Sequence, residues 1–167
     1  MASQLRVDKI LPVDGAPTSG GGGIIQVVST TLTTPTSTTS TSAFEDISGL
    51  SVAITPKFST SKVLLMVSLG SISVNAQSVG FRLLRGSTQI GGATSTATQS
   101  GFTNVYTNNE YIMSASHNFL DSPSTTSATT YKLQWRVAAG TAYLGRWKDN
   151  ATNYNGSSTI TAMEVSA

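Results

Sequence analysis

Cysteine is absent from this 167-residue chain, and histidine occurs once, at His117. Without cysteine there is no disulfide framework, no zinc finger and no thiol nucleophile. One imidazole and no thiolate cannot assemble a transition-metal site. Charge is equally scarce: 10 Lys+Arg and 8 Asp+Glu make 11% of the residues, with a net charge of +2. The isoelectric point near 9.0 therefore rests on a two-charge excess. The cations form no stripe of the kind nucleic acid requires, so no nucleic-acid partner is expected. No apolar run approaches the roughly 18 residues needed to cross a bilayer, and the opening MASQLRVDKI lacks the apolar core of a signal peptide. No membrane insertion is expected.

Helix formers are also few, with three Glu and five Lys. What fills the chain is twenty-five Ser, twenty-five Thr, twelve Val, nine Ile and twelve aromatic residues. β-branched and aromatic residues favour strands, whereas Gly, Ser and Asn favour turns. The apolar residues fall in regular clusters, unlike those of a disordered low-complexity chain. An all-β domain follows.

Three zones divide the chain. Residues 1–23 form an N-terminal arm in which QLRVDKILPVDG precedes a glycine run. Leu5 and Val7 alternate with Arg6 and Asp8 as in an extended segment laid on another surface. Such an arm is either a docking device or a disordered tail; as a docking device it would anchor through Leu5, Val7, Ile10 and Leu11, with Gly20, Gly21, Gly22 and Gly23 as its hinge. Residues 24–46 start with the strand Ile24–Val28 and continue into a Thr/Ser tract around Pro35, an extended connection or edge strand, with a glycosylated stalk as the alternative. From residue 47 on, alternation predicts successive strands: Leu50, Val52, Ile54; Val63–Val67, read as a central strand covered on both sides; Val79, Phe81, Leu83; Thr88–Ile90; Tyr111–Leu120; Tyr131, Leu133, Trp135, Val137; Thr141–Trp147; and Ser158–Val165. Glu45-Asp46 reads as solvent-facing loop. Eight to ten strands spaced by roughly 10 to 15 residues predict a jelly-roll-like antiparallel β-sandwich over residues 24–167, carrying the extended arm.

The sequence holds little chemistry. His117 has no nucleophile context such as G-x-S-x-G near it, and it reads as a structural histidine at the core's edge. The eight carboxylates form no paired motif for glycoside hydrolysis. The glycine run precedes Ile24-Ile25-Gln26 and is no phosphate loop, and Asp149-Asn150 with Asn153 and Asn155 lacks the carboxylate density of a calcium loop. No catalytic residue, metal ligand or cofactor is expected. Asn150-Ala151-Thr152 and Asn155-Gly156-Ser157 match the glycosylation sequon, a short pattern with little specificity. Trp135 belongs to the core by parity. Tyr106, Tyr143, Trp147 and Tyr154 are candidate ligand or interface aromatics, near Asn104, Asn108, Asn109, Asn153 and Asn155, whose amides suit sugar hydroxyls.

LRVDKI (Leu5 to Ile10) before the glycines, IIQVV with its Thr/Ser run, GLSVAITP (Gly49 to Pro56), SKVLLMVS (Ser61 to Ser68) and FRLLRG (Phe81 to Gly86) come in a distinctive order. LDSP (Leu120 to Pro123) leading to TTYKLQ (Thr129 to Gln134), and STITAMEV (Ser158 to Val165), complete it. In this order the chain resembles small virion structural proteins and tail-fibre modules of tailed phages, cyanophages and other marine phages among them. Gly145-Arg146-Trp147 has no counterpart in that pattern. The resemblance implies a jelly-roll sandwich forming a homotrimer on the virion surface, assembled in the host cytoplasm. It would be a capsid decoration or cement protein, a head-fibre knob or a small tail-fibre module, touching major capsid or tail proteins. A receptor-binding or carbohydrate-binding tip, with a host surface glycan as partner, is the alternative.

Overall fold

The computed structural model describes residues 23–94, 99–107, 111–149 and 154–166. The anchoring residues Leu5, Val7, Ile10 and Leu11, the hinge glycines Gly20 to Gly22, and Asn108, Asn109, Asn150 and Asn153 lie outside the described residues.

Among the described residues there are eleven strands and no helix: β1 (Ile24–Leu32), β2 (Thr36–Thr38), β3 (Glu45–Ile54), β4 (Lys62–Ala76), β5 (Ser78–Arg85), β6 (Thr88–Ile90), β7 (Thr103–Tyr106), β8 (Met113–Asp121), β9 (Thr129–Val137), β10 (Gly140–Leu144) and β11 (Ser158–Val165). Two antiparallel sheets stack as a β-sandwich. The first runs β1-β11-β4-β10-β2, with β8 on the other edge of β4; the second runs β3-β9-β5-β6, with β7 also on β5.

Alternation places the core. Tyr131, Leu133, Trp135 and Val137 of β9 point inward, as do Val79, Phe81 and Leu83 of β5, and they meet Val63, Leu65, Val67 and Leu69 of β4. Trp135 is 2% exposed, as its parity predicted. A file of rings crosses between the sheets: Phe119 to His117 at 6.5 Å, His117 to Phe102 at 4.6 Å, Phe102 to Phe81 at 6.3 Å and Phe81 to Trp135 at 6.4 Å. Such pairs contribute about 0.5–1.5 kcal/mol each beyond their buried area.

Polar ties close the end of the sandwich where Glu164 and Asp121 both flank Val63. The Glu164 carboxylate accepts the Lys57 N–H at 2.7 Å and the Gln26 side-chain amide. Burial pushes this carboxyl up, but the hydrogen bonds from Gln26, Lys57 and Phe58 prevail and hold it below the ordinary glutamate value. The Asp121 carboxylate accepts both the Tyr131 hydroxyl at 2.7 Å and Nη1 of Arg85 at 3.0 Å.

Three expectations need correction. Val63–Val67 is not covered on both sides, because Leu64 is half-buried and Met66 is 43% exposed; only one face of β4 meets the core. Glu45 and Asp46 are not loop but the start of β3, where Asp46 accepts Lys132 Nζ at 2.8 Å and Gln134 Nε2 at 2.8 Å. The strand read as Thr141–Trp147 stops at Leu144, since Gly145 takes φ +84° and turns the chain.

Candidate functional site: an uncharged sheet face and an aromatic cleft

Register aligns the outward side chains of four strands into rows. Val27 stands opposite Met163, Met163 opposite Leu64, and Leu64 opposite Leu120. The next row runs Ser29, Thr161, Met66, Asn118, and the third Thr31, Thr159, Ser68, Ser116. None of these residues is charged, and Val27 and Leu120 are 55% and 49% exposed. Hydroxyls link the strands across the face, with Ser29 Oγ 2.8 Å from Thr161 Oγ1 and Thr31 Oγ1 3.3 Å from Thr159 Oγ1. A shallow depression between Met66, Ser68, Asn118, Thr161 and Met163 marks its middle. Among the described residues of these strands, only Lys62, opposite Val165, brings charge to its end.

The second sheet's outer face is the reverse. It carries Arg82, Lys132 and Arg136, engaged by neighbouring segments. The Arg82 guanidinium lies 3.6 Å from the Phe44 ring centre and donates to the Ser100 carbonyl at 2.6 Å, and Arg136 Nε donates to the Thr41 carbonyl at 2.8 Å. Charge is thus segregated between the two outer faces. A further feature sets the first sheet apart: β8 is a nine-residue edge strand whose outward residues Ser114, Ser116, Asn118 and Leu120 include no charge and no proline. Such a strand lacks the features that commonly block pairing with another chain.

The second surface lies where β4 kinks. Ser71 takes φ +52°, and the ladder to β8 slips between Leu69 and Ile72. Glycines let two loops close on this kink. A Cβ on Gly70 would lie 2.5 Å from the Ser157 carbonyl oxygen, and one on Gly156 2.4 Å from Ser71 Oγ. Gly145 N–H donates to the Ser71 carbonyl at 3.1 Å, and Gly156 N–H to the Gly145 carbonyl at 3.2 Å. Ser73 Oγ donates to the Arg146 carbonyl at 3.0 Å. This packing brings Trp147 and Tyr154 together edge to face, centres 5.7 Å apart at 84°. With Tyr111 and Ile112 they line an open cleft of about 440 Å³.

Of the four candidate aromatics, Trp147 and Tyr154 therefore meet, whereas Tyr106 and Tyr143 lie elsewhere. Tyr106 ends β7, exposed, and Tyr143 lies on β10 with the Arg146 guanidinium 4.4 Å from its ring centre. Sequence reasoning placed Tyr111 on a strand and passed over Ile112; their adjacency to the polar Asn108-Asn109-Glu110 segment was the available signal. It also missed the uncharged face, although Thr159, Thr161 and Met163 alternate with the buried residues of β11. His117 is half-buried, its Nε2 shut off from solvent. Among the described residues no three His, Asp or Glu side chains group as metal ligands.

No protein-family model and no curated protein matches the chain. Among solved structures, one described as the structure of infectious bursal disease virus Gx strain is similar over 98% of this chain, at 12% identity and a TM-score of 0.43. The chain covers 43% of that protein.

Proposed function

We propose that this chain is a non-enzymatic structural protein of a bacteriophage virion, a homotrimer on the particle surface held there by residues 1–23. The observation that carries this reading is the uncharged outer face formed by β1, β11, β4 and β8. Exposed apolar residues aligned in rows, without a charge among them, are characteristic of surfaces that are covered in an assembly. The short hydroxyl side chains around Met66 lose little conformational freedom on contact, and they can exchange hydrogen bonds with a second copy. The order of the segments from LRVDKI to STITAMEV, which resembles that of small tailed-phage virion proteins, supports the reading that this assembly belongs to a particle. The buried carboxylates among the described residues, Glu164 and Asp121, are engaged in structural hydrogen bonds, which accords with a scaffold rather than a catalyst.

The test is to purify particles of a phage that encodes the chain and to reconstruct them. The expected result is density for the sandwich in threefold clusters on the outside, with residues 1–23 against a capsid or tail protein. Particles lacking the chain would overturn the proposal.

A further inference from the structure

We propose that the cleft lined by Tyr111, Ile112, Trp147 and Tyr154 binds an uncharged pyranose, giving this chain a sugar-recognition site separate from its assembly face. The cleft's volume of about 440 Å³ lies in the range of small-ligand sites and admits a mono- or disaccharide. Its chemistry comes next. A pyranose has one face of C–H groups that packs on an aromatic ring and a rim of hydroxyls that needs donors and acceptors. Trp147, Tyr111 and Tyr154 offer three rings, each with a polar end, and the perpendicular Trp147–Tyr154 pair shapes a trough instead of a flat platform. Asn155 follows Tyr154 and is exposed.

Charge points to a neutral ligand. Lys148 lies 5.9 Å from the Trp147 ring centre and pairs with Asp149, so this neighbouring cation is already engaged by a carboxylate. An acidic sugar would meet no free cation from that pair.

The backbone around the cleft is unusual as well. Tyr154 holds φ +62° although it is not glycine, and Ser71 beneath the loops holds +52°. Residues other than glycine adopt this region at a cost, and such strain concentrates at ligand sites. Tyr154 is nonetheless 64% exposed and Tyr111 59%, so this strain does not serve to bury them. The cleft is also distinct in composition from the assembly rows, which contain no aromatic residue.

The experiment is ligand-observed NMR on the full chain with methyl β-D-galactopyranoside, methyl α-D-glucopyranoside and methyl α-D-mannopyranoside, with D-glucuronate as the charged counterpart. The expected result is saturable binding of at least one neutral pyranoside, weakened about tenfold or more by Trp147→Ala and by Tyr154→Ala, with melting temperature and assembly state unchanged. Trp135 is buried, so quenching of indole fluorescence by the sugar should vanish in Trp147→Phe. Tyr111→Ser supplies a variant on the opposite wall should the Trp147 loop fail to form. The proposal is overturned if no neutral pyranoside binds saturably, if binding survives the Trp147 and Tyr154 substitutions, or if glucuronate is preferred. It is equally overturned if Trp147→Ala changes the assembly state, which would make a second copy the occupant. A Met66→Lys chain should bind the sugar as the unaltered chain does, so the two proposals can fail independently.

Discussion

The Tyr131 hydroxyl donates to Oδ2 of Asp121 across 2.7 Å, tying β9 of one sheet to the end of β8 in the other. Arg85 completes the tie from β5, with Nη1 3.0 Å from the same carboxylate. Burial and the adjacent carboxylate both push the Tyr131 phenol well above its ordinary pKa, so it remains a donor throughout the accessible pH range.

Removing the carboxylate leaves a buried hydroxyl and a half-buried guanidinium without their partner. Asp121→Ala should cost about 3 kcal/mol, the low end for a broken buried pair because the Arg85 side chain is one-third exposed. Tyr131→Phe deletes one hydrogen bond to a charged acceptor and should cost about 1.5–3 kcal/mol. Urea unfolding of both variants gives these values directly, and equal losses would show that the Arg85 contact contributes nothing.

His117 supplies a pH dependence. Burial lowers its pKa below 6.5, with the Gly91 backbone acting in the opposite direction. A folded-state pKa below the unfolded one means that the unfolded chain binds the proton more readily. The stabilising effect is therefore complete above pH 6.5 and declines as pH falls from 6.5 through the lower folded value. Melting temperature measured across this interval should fall in the native protein and fall less in His117→Phe, where a third phenyl ring fills the stack between Phe102 and Phe119.

Glycine at position 70 is a packing requirement. Gly70→Ala places a methyl 2.5 Å from the backbone oxygen of Ser157, which no rotamer change can relieve, and overpacking of this kind costs about 1–3 kcal/mol. The loop carrying Tyr154 must then move, so Gly70→Ala should weaken any ligand of the cleft in addition to lowering the melting temperature. Gly86, whose added Cβ meets nothing within 4 Å, is the control for a glycine substitution without a clash, although its φ of +58° carries its own strain.

Much of the fold was legible in the sequence, for a physical reason. Period-two alternation at Tyr131–Val137 and Ser158–Val165 follows from burial of one sheet face, and those strands appear where the pattern puts them. VLLMV misled because continuous apolar residues normally signal cover on both faces. Here Leu64 and Met66 belong to the outward rows instead, and which of their neighbours share those rows depends on cross-strand register, which no local pattern encodes. The cleft was half legible. Trp147 and Tyr154 stood out as aromatics near turns, but their meeting depends on the kink at Ser71 and on the close approach of Gly70, Gly145 and Gly156.

Among the described residues the hydrophobic core spans Ile47 to Ala162, and on the proposed reading residues 1–22 serve the particle rather than the sandwich. A chain lacking residues 1–22 should therefore fold with an unaltered melting temperature. On the proposed reading it should also fail to enter particles when supplied in place of the full chain, as measured by co-sedimentation with assembling virions. Normal incorporation would refute the anchoring role of Leu5, Val7, Ile10 and Leu11.

The most direct test of the account is the solution mass of the intact chain beside Met66→Lys and Thr161→Lys, measured by sedimentation. Both side chains point away from the core in the middle row of the uncharged face, so each lysine should leave the fold intact while placing a charge in the contact. The unaltered chain should be a trimer and each variant a monomer, all with closely similar melting of the sandwich. A native monomer, or a trimer that survives both lysines, would contradict it.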